Sequence, residues 1–225
     1  MKVVIFDSGT LITLSMNCVL DIIREIKKKF DGKFLITKEI KSEIVDTPLN
    51  IKKYKLGAIR LRTLIEERVL EFPEVLGIKN NEIELLSREI LKSTNSLFYA
   101  DKNPVHIIDA GEASVLALNF LLKKKSSDVL IAMDERTTRI LCEKPENLKN
   151  LLESKLHTKI KQEGIRQEFF KDINFIRSSE LIYVAFKKGI IKSQSKEMLD
   201  ALLYGAKFKG ASISNEEINE IKKLG

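Results

Sequence analysis

A chain of 225 residues, 44% hydrophobic and 32% charged, is long enough to bury a substantial core and has the balance of a soluble globular protein. No stretch approaches the roughly 20 apolar residues that span a bilayer, and MKVVIFD is a short apolar run closed by an acid, so a cytoplasmic protein without a secretory signal is expected. The net charge of +7 is uneven: residues 1–143 hold 23 basic against 21 acidic side chains, and residues 144–225 hold 16 against 11, a bias that suits a polyanionic partner and solvated helix faces alike.

The first element, VVIF before Asp7, reads as a strand buried on both faces. LITLSMNCVLDIIREIKKKF then has helical spacing and a lysine-rich end suited to a helix carboxyl pole, with Gly32 as its stop. KFLIT is a second strand, and Thr37 is placed to cap the helix KEIKSEIVDT, which runs to Pro48. Residues from about 50 to 100 read as a helical excursion. VHIIDAGEASVLALNFLLKKK is a turn entering a long helix, and DVLIAMDERTTRIL is a third strand, VLIAM, that ends at Asp134 and enters another helix. A helical insertion at about 144–170, a last strand near Phe175 to Arg177 and the helix ELIYVAF follow, and a helix, a Gly-containing break and a short capped helix from Ser214 close the chain. Alternating strands and helices predict an α/β fold, a Rossmann-like parallel sheet flanked by helices over 1–190 with a helical C-terminal extension over 191–225. Cys18 and Cys142 lie in apolar helical contexts without ligand spacing and read as buried reduced thiols, and two histidines, His106 and His157, exclude a histidine-rich metal site.

Four acids occupy comparable places. Asp7 and Asp134 each follow a strand, Glu43 lies in the helix after the second strand, and Glu112 opens the helix after IIDAG. Neighbouring parallel strands would bring them to one sheet edge, where ionised carboxylates repel unless they hold protons or share a hard divalent cation. Each also has a plain alternative. Asp7 and Asp134 can cap helices, Asp109 and Glu112 have capping-box spacing, and Glu43 can be a solvated helix residue. Asp46, Asp101 and Glu135 read as solvent acids.

FDSGTL is similar to the FDxDGTL signature of haloacid dehalogenase-like phosphatases, but Gly9 stands where their second, proton-shuttling Asp belongs. The set VVIFDSGTLI, FLITKEIKSEIV, DAGEASVLAL and VLIAMDERTTRIL resembles, in order and spacing, the motifs of PIN-domain ribonucleases of archaeal and bacterial branches. That resemblance covers residues 1–143, with a closing strand and helix near 173–190. It implies that Asp7, Glu43, Glu112 and Asp134 hold Mg²⁺ or Mn²⁺, with Ser8 in support, and that the chain hydrolyses RNA phosphodiesters. Gly9 departs from the family, which often carries Asn or Ser there.

Single-stranded RNA is the expected substrate, since a recessed acidic site admits a flexible backbone more readily than a duplex. The resemblance also implies a homodimer, through apolar positions of a helix such as LRTLIEERVLEF, and either RNA processing or the toxin role of a toxin–antitoxin pair with an antitoxin protein as partner. A non-catalytic RNA- or protein-binding module of the same fold, its acids merely capping helices, is the rival reading.

Overall fold

The computed structural model describes residues 1–163 and 168–224. Strand β1 (Lys2–Phe6) leads into helices α1 (Ser8–Met16) and α2 (Asp21–Lys29), and β2 (Gly32–Leu35) into α3 (Lys38–Lys41), which continues as a π-helical turn over Ser42–Asp46. Helices α4 (Lys55–Glu66) and α5 (Asn80–Thr94) come next, then the short strands β3 (Phe98–Ala100) and β4 (Asn103–Pro104), then α6 (Ala110–Lys124), β5 (Asp128–Ala132) and α7 (Arg136–Glu143). The rest comprises α8 (Leu148–Leu156), β6 (Ile160–Gln162), β7 (Asn174–Ile176), α9 (Ser178–Lys187), α10 (Lys196–Phe208) and α11 (Asn215–Lys223).

Four strands form one all-parallel sheet in the order β2-β1-β5-β7. Side chains alternate across it. Val4, Phe6, Leu130 and Ile176 face Ile22, Ile23 and Ile26 of α2 and Leu181 of α9. Val3, Ile5, Val129 and Ile131 point to the other face, where α6 packs against β1 and β5. Both faces are therefore covered, which is why these strands read as unbroken apolar runs. The α/β class, with helices flanking a parallel sheet, is as the sequence predicts.

Several local features differ from the sequence reading. The run 11–30 is two helices, because Cys18 adopts a left-handed φ of 57° between them, and that turn leaves Cys18 exposed while Cys142 is buried. Residues 50–100 and 144–170 are not wholly helical: β3, β4 and β6 form a second, antiparallel sheet in the order β4-β3-β6. His157, at φ 52°, ends α8 and releases the chain into β6; the part of the expected insertion at 164–167 lies outside the described residues. Of the apolar residues of LRTLIEERVLEF, Leu61, Leu64 and Leu70 are buried in the core, and Ile65, Val69 and Phe72 are partly buried against it.

The C-terminal extension packs on this framework rather than standing apart. Helix α10 lies against α9, and Thr13 Oγ1 of α1 donates to the Lys209 carbonyl just beyond α10. Arg177 bonds Glu180, Glu217 and the Ser212 carbonyl, tying α9 to α11. No helix among the described residues is long and apolar enough to cross a membrane.

Candidate functional site

From β1 the chain goes to one side for β2 and later returns to the other side of β1 for β5. Strand order reverses there, and open α/β sheets bind ligands in the crevice outside the carboxyl ends of the strands at such a point. Asp7 directly follows β1 and Asp134 lies two residues past β5, so both stand at this crevice.

A cleft of about 470 Å³ opens there, lined by Asp7, Ser8, Glu43, Asp109, Glu112 and Glu135 together with Gly9 and Ala110. Its lining carries five carboxylates and no basic side chain.

Asp7 performs two tasks with its two oxygens. It is the N-cap of α1: Oδ2 accepts the Gly9 N–H at 3.1 Å, and its own N–H continues the sheet ladder to the Ala132 carbonyl at 2.9 Å. Oδ1 is buried without a hydrogen-bond partner among the described residues. Burial pushes the carboxyl up to about 7, aided by the charges of Glu43 and Asp134 and opposed by the Gly9 N–H.

Glu43 sits in the π-helical turn. Such turns insert a residue into the helical spiral and redirect the side chains they contain, and they recur at functional sites. Its carboxylate lies against Gly111 at the start of α6, so close that a Cβ at 111 would collide with it. Desolvation raises its pKa, while hydrogen bonding from the Ser8 hydroxyl and the Gly111 N–H opposes the rise. A buried lock holds the two helices in this relation. Thr37 Oγ1 caps α3 by accepting the Ile40 N–H at 3.2 Å and shares a 2.7 Å hydrogen bond with Ser114 of α6, whose hydroxyl also donates to the Gly111 carbonyl at 2.6 Å.

Glu112 reaches back along its helix, where Oε2 accepts the Asp109 N–H at 2.9 Å. Burial, with the charges of Asp7 and Glu135, pushes it up to about 8 against the effect of that N–H. The reach of Glu112 back to the Asp109 N–H, anticipated for this pair, is therefore present, and Glu112 lines the cleft as well. Asp109 Oδ1 meets His106 Nε2 at 2.6 Å, and Asn95 Oδ1 accepts the Ile107 and Ile108 N–H groups, fixing the loop that leads into α6. Glu135, read from sequence as a solvent acid, caps α7 through Thr137 and turns into the cleft.

Asp134 is placed differently from its three companions. It is buried and does not line the cleft; its Oδ1 accepts the Ser178 N–H at 2.8 Å, pinning the first residue of α9 to the end of β5. Desolvation raises its pKa against hydrogen bonding from Ser178 and Thr13. It acts on the cleft through its charge on Asp7. The structure thus brings Asp7, Ser8, Glu43 and Glu112 to one opening and sets Asp134 behind Asp7. Asp109 and Glu135 join the cleft; the sequence marked Asp109 by its capping-box spacing to Glu112, and Glu135 only by its place beside Asp134.

Among the described residues no three carboxylate, histidine or cysteine groups close up as a ready-made metal shell. The acids ring the cleft instead, as repulsion between buried like charges favours. The donor set nonetheless fits a hard divalent cation: it is all oxygen, it includes an orphaned buried carboxylate atom on Asp7, and burial, helped by neighbouring carboxylate charge, raises the pKa of Asp7 and of Glu112. No family model matches the chain, and neither the curated proteins nor the solved structures give a match.

Proposed function

We propose that the chain is a metal-dependent endoribonuclease of PIN fold that hydrolyses RNA phosphodiesters in single-stranded substrates. The observation that carries this reading is the cleft at the strand-order reversal, with five carboxylates, no basic side chain, and Asp7 Oδ1 left buried and unpaired. Asp7, Glu43 and Glu112 would hold Mg²⁺ or Mn²⁺, with Asp134 behind Asp7 and Ser8 steadying Glu43. Such an ion supplies an acidified water and neutralises charge on the scissile phosphate.

The chain's own groups do the rest. Asp7 is fixed by its cap to Gly9, so its second oxygen points where the fold dictates. Glu112 is held by the Asp109 N–H and Glu43 by the packing of α3 on α6, which orients the donors in advance. RNA as substrate, a role in RNA processing or as a toxin, a homodimer, an antitoxin partner and a cytoplasmic setting come from the family resemblance and the composition.

The test is incubation with a mixed RNA pool in Mn²⁺, in EDTA, and in Mn²⁺ with Asp7→Asn. Cleavage in the first lane alone is expected; equal products in all three would overturn the reading. The capping contacts of Glu112 and Asp134 favour a second reading, a non-catalytic RNA- or protein-binding module, which predicts indifference to chelation and to Asp7→Asn.

A further inference from the structure

A second cavity, about 740 Å³, lies between α3 and the end of α4 with the chain that follows it. Its apolar wall is Ile65, Leu70, Phe72 and Val75, and Lys38, Lys41 and Arg68 supply positive charge. The segment carrying Phe72 is tied to the end of β2: the Glu71 N–H donates to the Phe34 carbonyl and the Glu71 carbonyl accepts the Ile36 N–H. The cavity therefore stands at the same carboxyl edge of the sheet as the acids.

The charges in it are not equivalent. Lys41 pairs with Asp46 at 2.7 Å, and Glu71 is neutralised by Lys33 at 2.8 Å and Lys27 at 4.0 Å. Lys38, Arg68 and Glu74 are exposed and form no ion pair among the described residues, which leaves two cations against one carboxylate, and Arg68 is held in a left-handed turn at φ 57°. A net positive charge beside a half-buried aromatic ring and an aliphatic wall matches a phosphate joined to a flat apolar base. A peptide of acidic residues alone would engage the cations and leave the wall unused. Lys38 also lies five residues before Glu43 on one continuous helical segment, about 7.5 Å along its axis.

We infer that this cavity is a nucleotide subsite: it takes one unpaired base of an RNA strand against Phe72, Ile65 and Leu70, with the adjoining phosphate on Lys38 and Arg68, while the strand continues over α3 to the acidic cleft. The inference rests on the ribonuclease reading for its strand direction, but its binding test is independent of cleavage.

The test is fluorescence anisotropy of a labelled 12-nucleotide oligouridine in EDTA, titrated at several salt concentrations, with a matching strand of abasic sites. Lys38→Ala/Arg68→Ala should weaken binding tenfold or more and lower the salt slope by about 0.7, the value for one lost single-strand phosphate contact. Lys155→Ala/Lys187→Ala, on exposed lysines outside the cavity lining, should leave both unchanged. Wild type should prefer the base-bearing strand at least fivefold, and Phe72→Leu should lose that preference. Melting temperatures accompany each variant, and the charge pair decides the matter should Phe72→Leu fail to fold. Unaltered affinity and slope in the charge pair, equal binding of the abasic strand by wild type, or competition by oligoglutamate equal to that by oligouridine would each overturn the subsite. Cleavage in Mn²⁺ is measured separately, so a nuclease with an irrelevant cavity, and a nucleotide-binding cavity without nuclease activity, give different results.

Discussion

Glu43 and Gly111 touch: the carboxylate of the one occupies the space that a side chain on the other would need. Two helices from distant parts of the sequence can therefore bring Glu43 and Glu112 to one cleft only because residue 111 is glycine. Gly111→Ala should leave the fold intact, since alanine suits a helix better than glycine by about 1 kcal/mol and Glu43 can swing aside. Mn²⁺ affinity should fall tenfold or more while the melting temperature changes little, which calorimetric titration and thermal unfolding would read together.

Stability without metal should depend on pH in a definite direction. Asp7 and Glu112 have ordinary values of 3.8 and 4.5 and are raised in the folded chain to about 7 and about 8. Between these limits the folded state holds protons that the unfolded chain has released, so their contribution is greatest below about pH 4, falls as pH rises to about 8, and is flat above. In EDTA the melting temperature should therefore be lower at pH 8.5 than at pH 5.5, with each kcal/mol worth about 2–4 °C in a chain of this size. Mn²⁺ should restore it at pH 8.5, and Asp7→Asn should flatten the profile. A melting temperature that climbs from pH 5.5 to 8.5 in EDTA, unchanged in Asp7→Asn, would contradict the proton assignment.

Asp134 separates structural from ligand roles. Its hydrogen bond to the Ser178 N–H caps α9 from another strand, so Asp134→Ala should cost about 1–2 kcal/mol, whereas Asp134→Asn keeps an acceptor and should cost much less. Both variants should weaken Mn²⁺ binding less than Asp7→Asn does. Chemical denaturation beside metal titration gives the two readouts.

Arg177 latches the extension to the core through Glu180, Glu217 and the Ser212 carbonyl, with its side chain only 11% exposed. Because Glu180 and Glu217 are 38% and 42% exposed, solvent weakens these pairs, and Arg177→Ala should cost about 1–2 kcal/mol. Limited proteolysis should then cut near residues 209–214 faster than in wild type, with α1 to α10 retained.

The parallel sheet was legible because a strand covered on both faces must be apolar at every position, and VVIF and VLIAM are. Asp7 and Glu43 were legible because each follows a parallel strand directly or in the helix after it, and topology alone carries such positions to one edge; Glu112 was legible from its place at the start of the helix after IIDAG. The π-helical turn at Ser42–Asp46 was not, since its residues have ordinary helical spacing and the redirection of Glu43 depends on packing against Gly111. The break at Cys18 left no Gly or Pro to announce it. The second sheet was hidden by strands of two and three residues, too short for a period to show. The capping duty of Asp134 depends on β7 bringing Ser178 alongside, a long-range contact to which local sequence is blind.

Oxygens gathered from the end of β1, the turn after α3, and α6 should bind a divalent cation. Calorimetric titration of the metal-free protein with Mn²⁺ at pH 8, in buffers of differing ionisation heat, measures this binding. Saturable binding with release of protons is expected, weakened at least tenfold by Asp7→Asn and by Glu112→Gln. Saturable binding of equal strength in all three proteins, or no binding and no proton release in wild type, would contradict it.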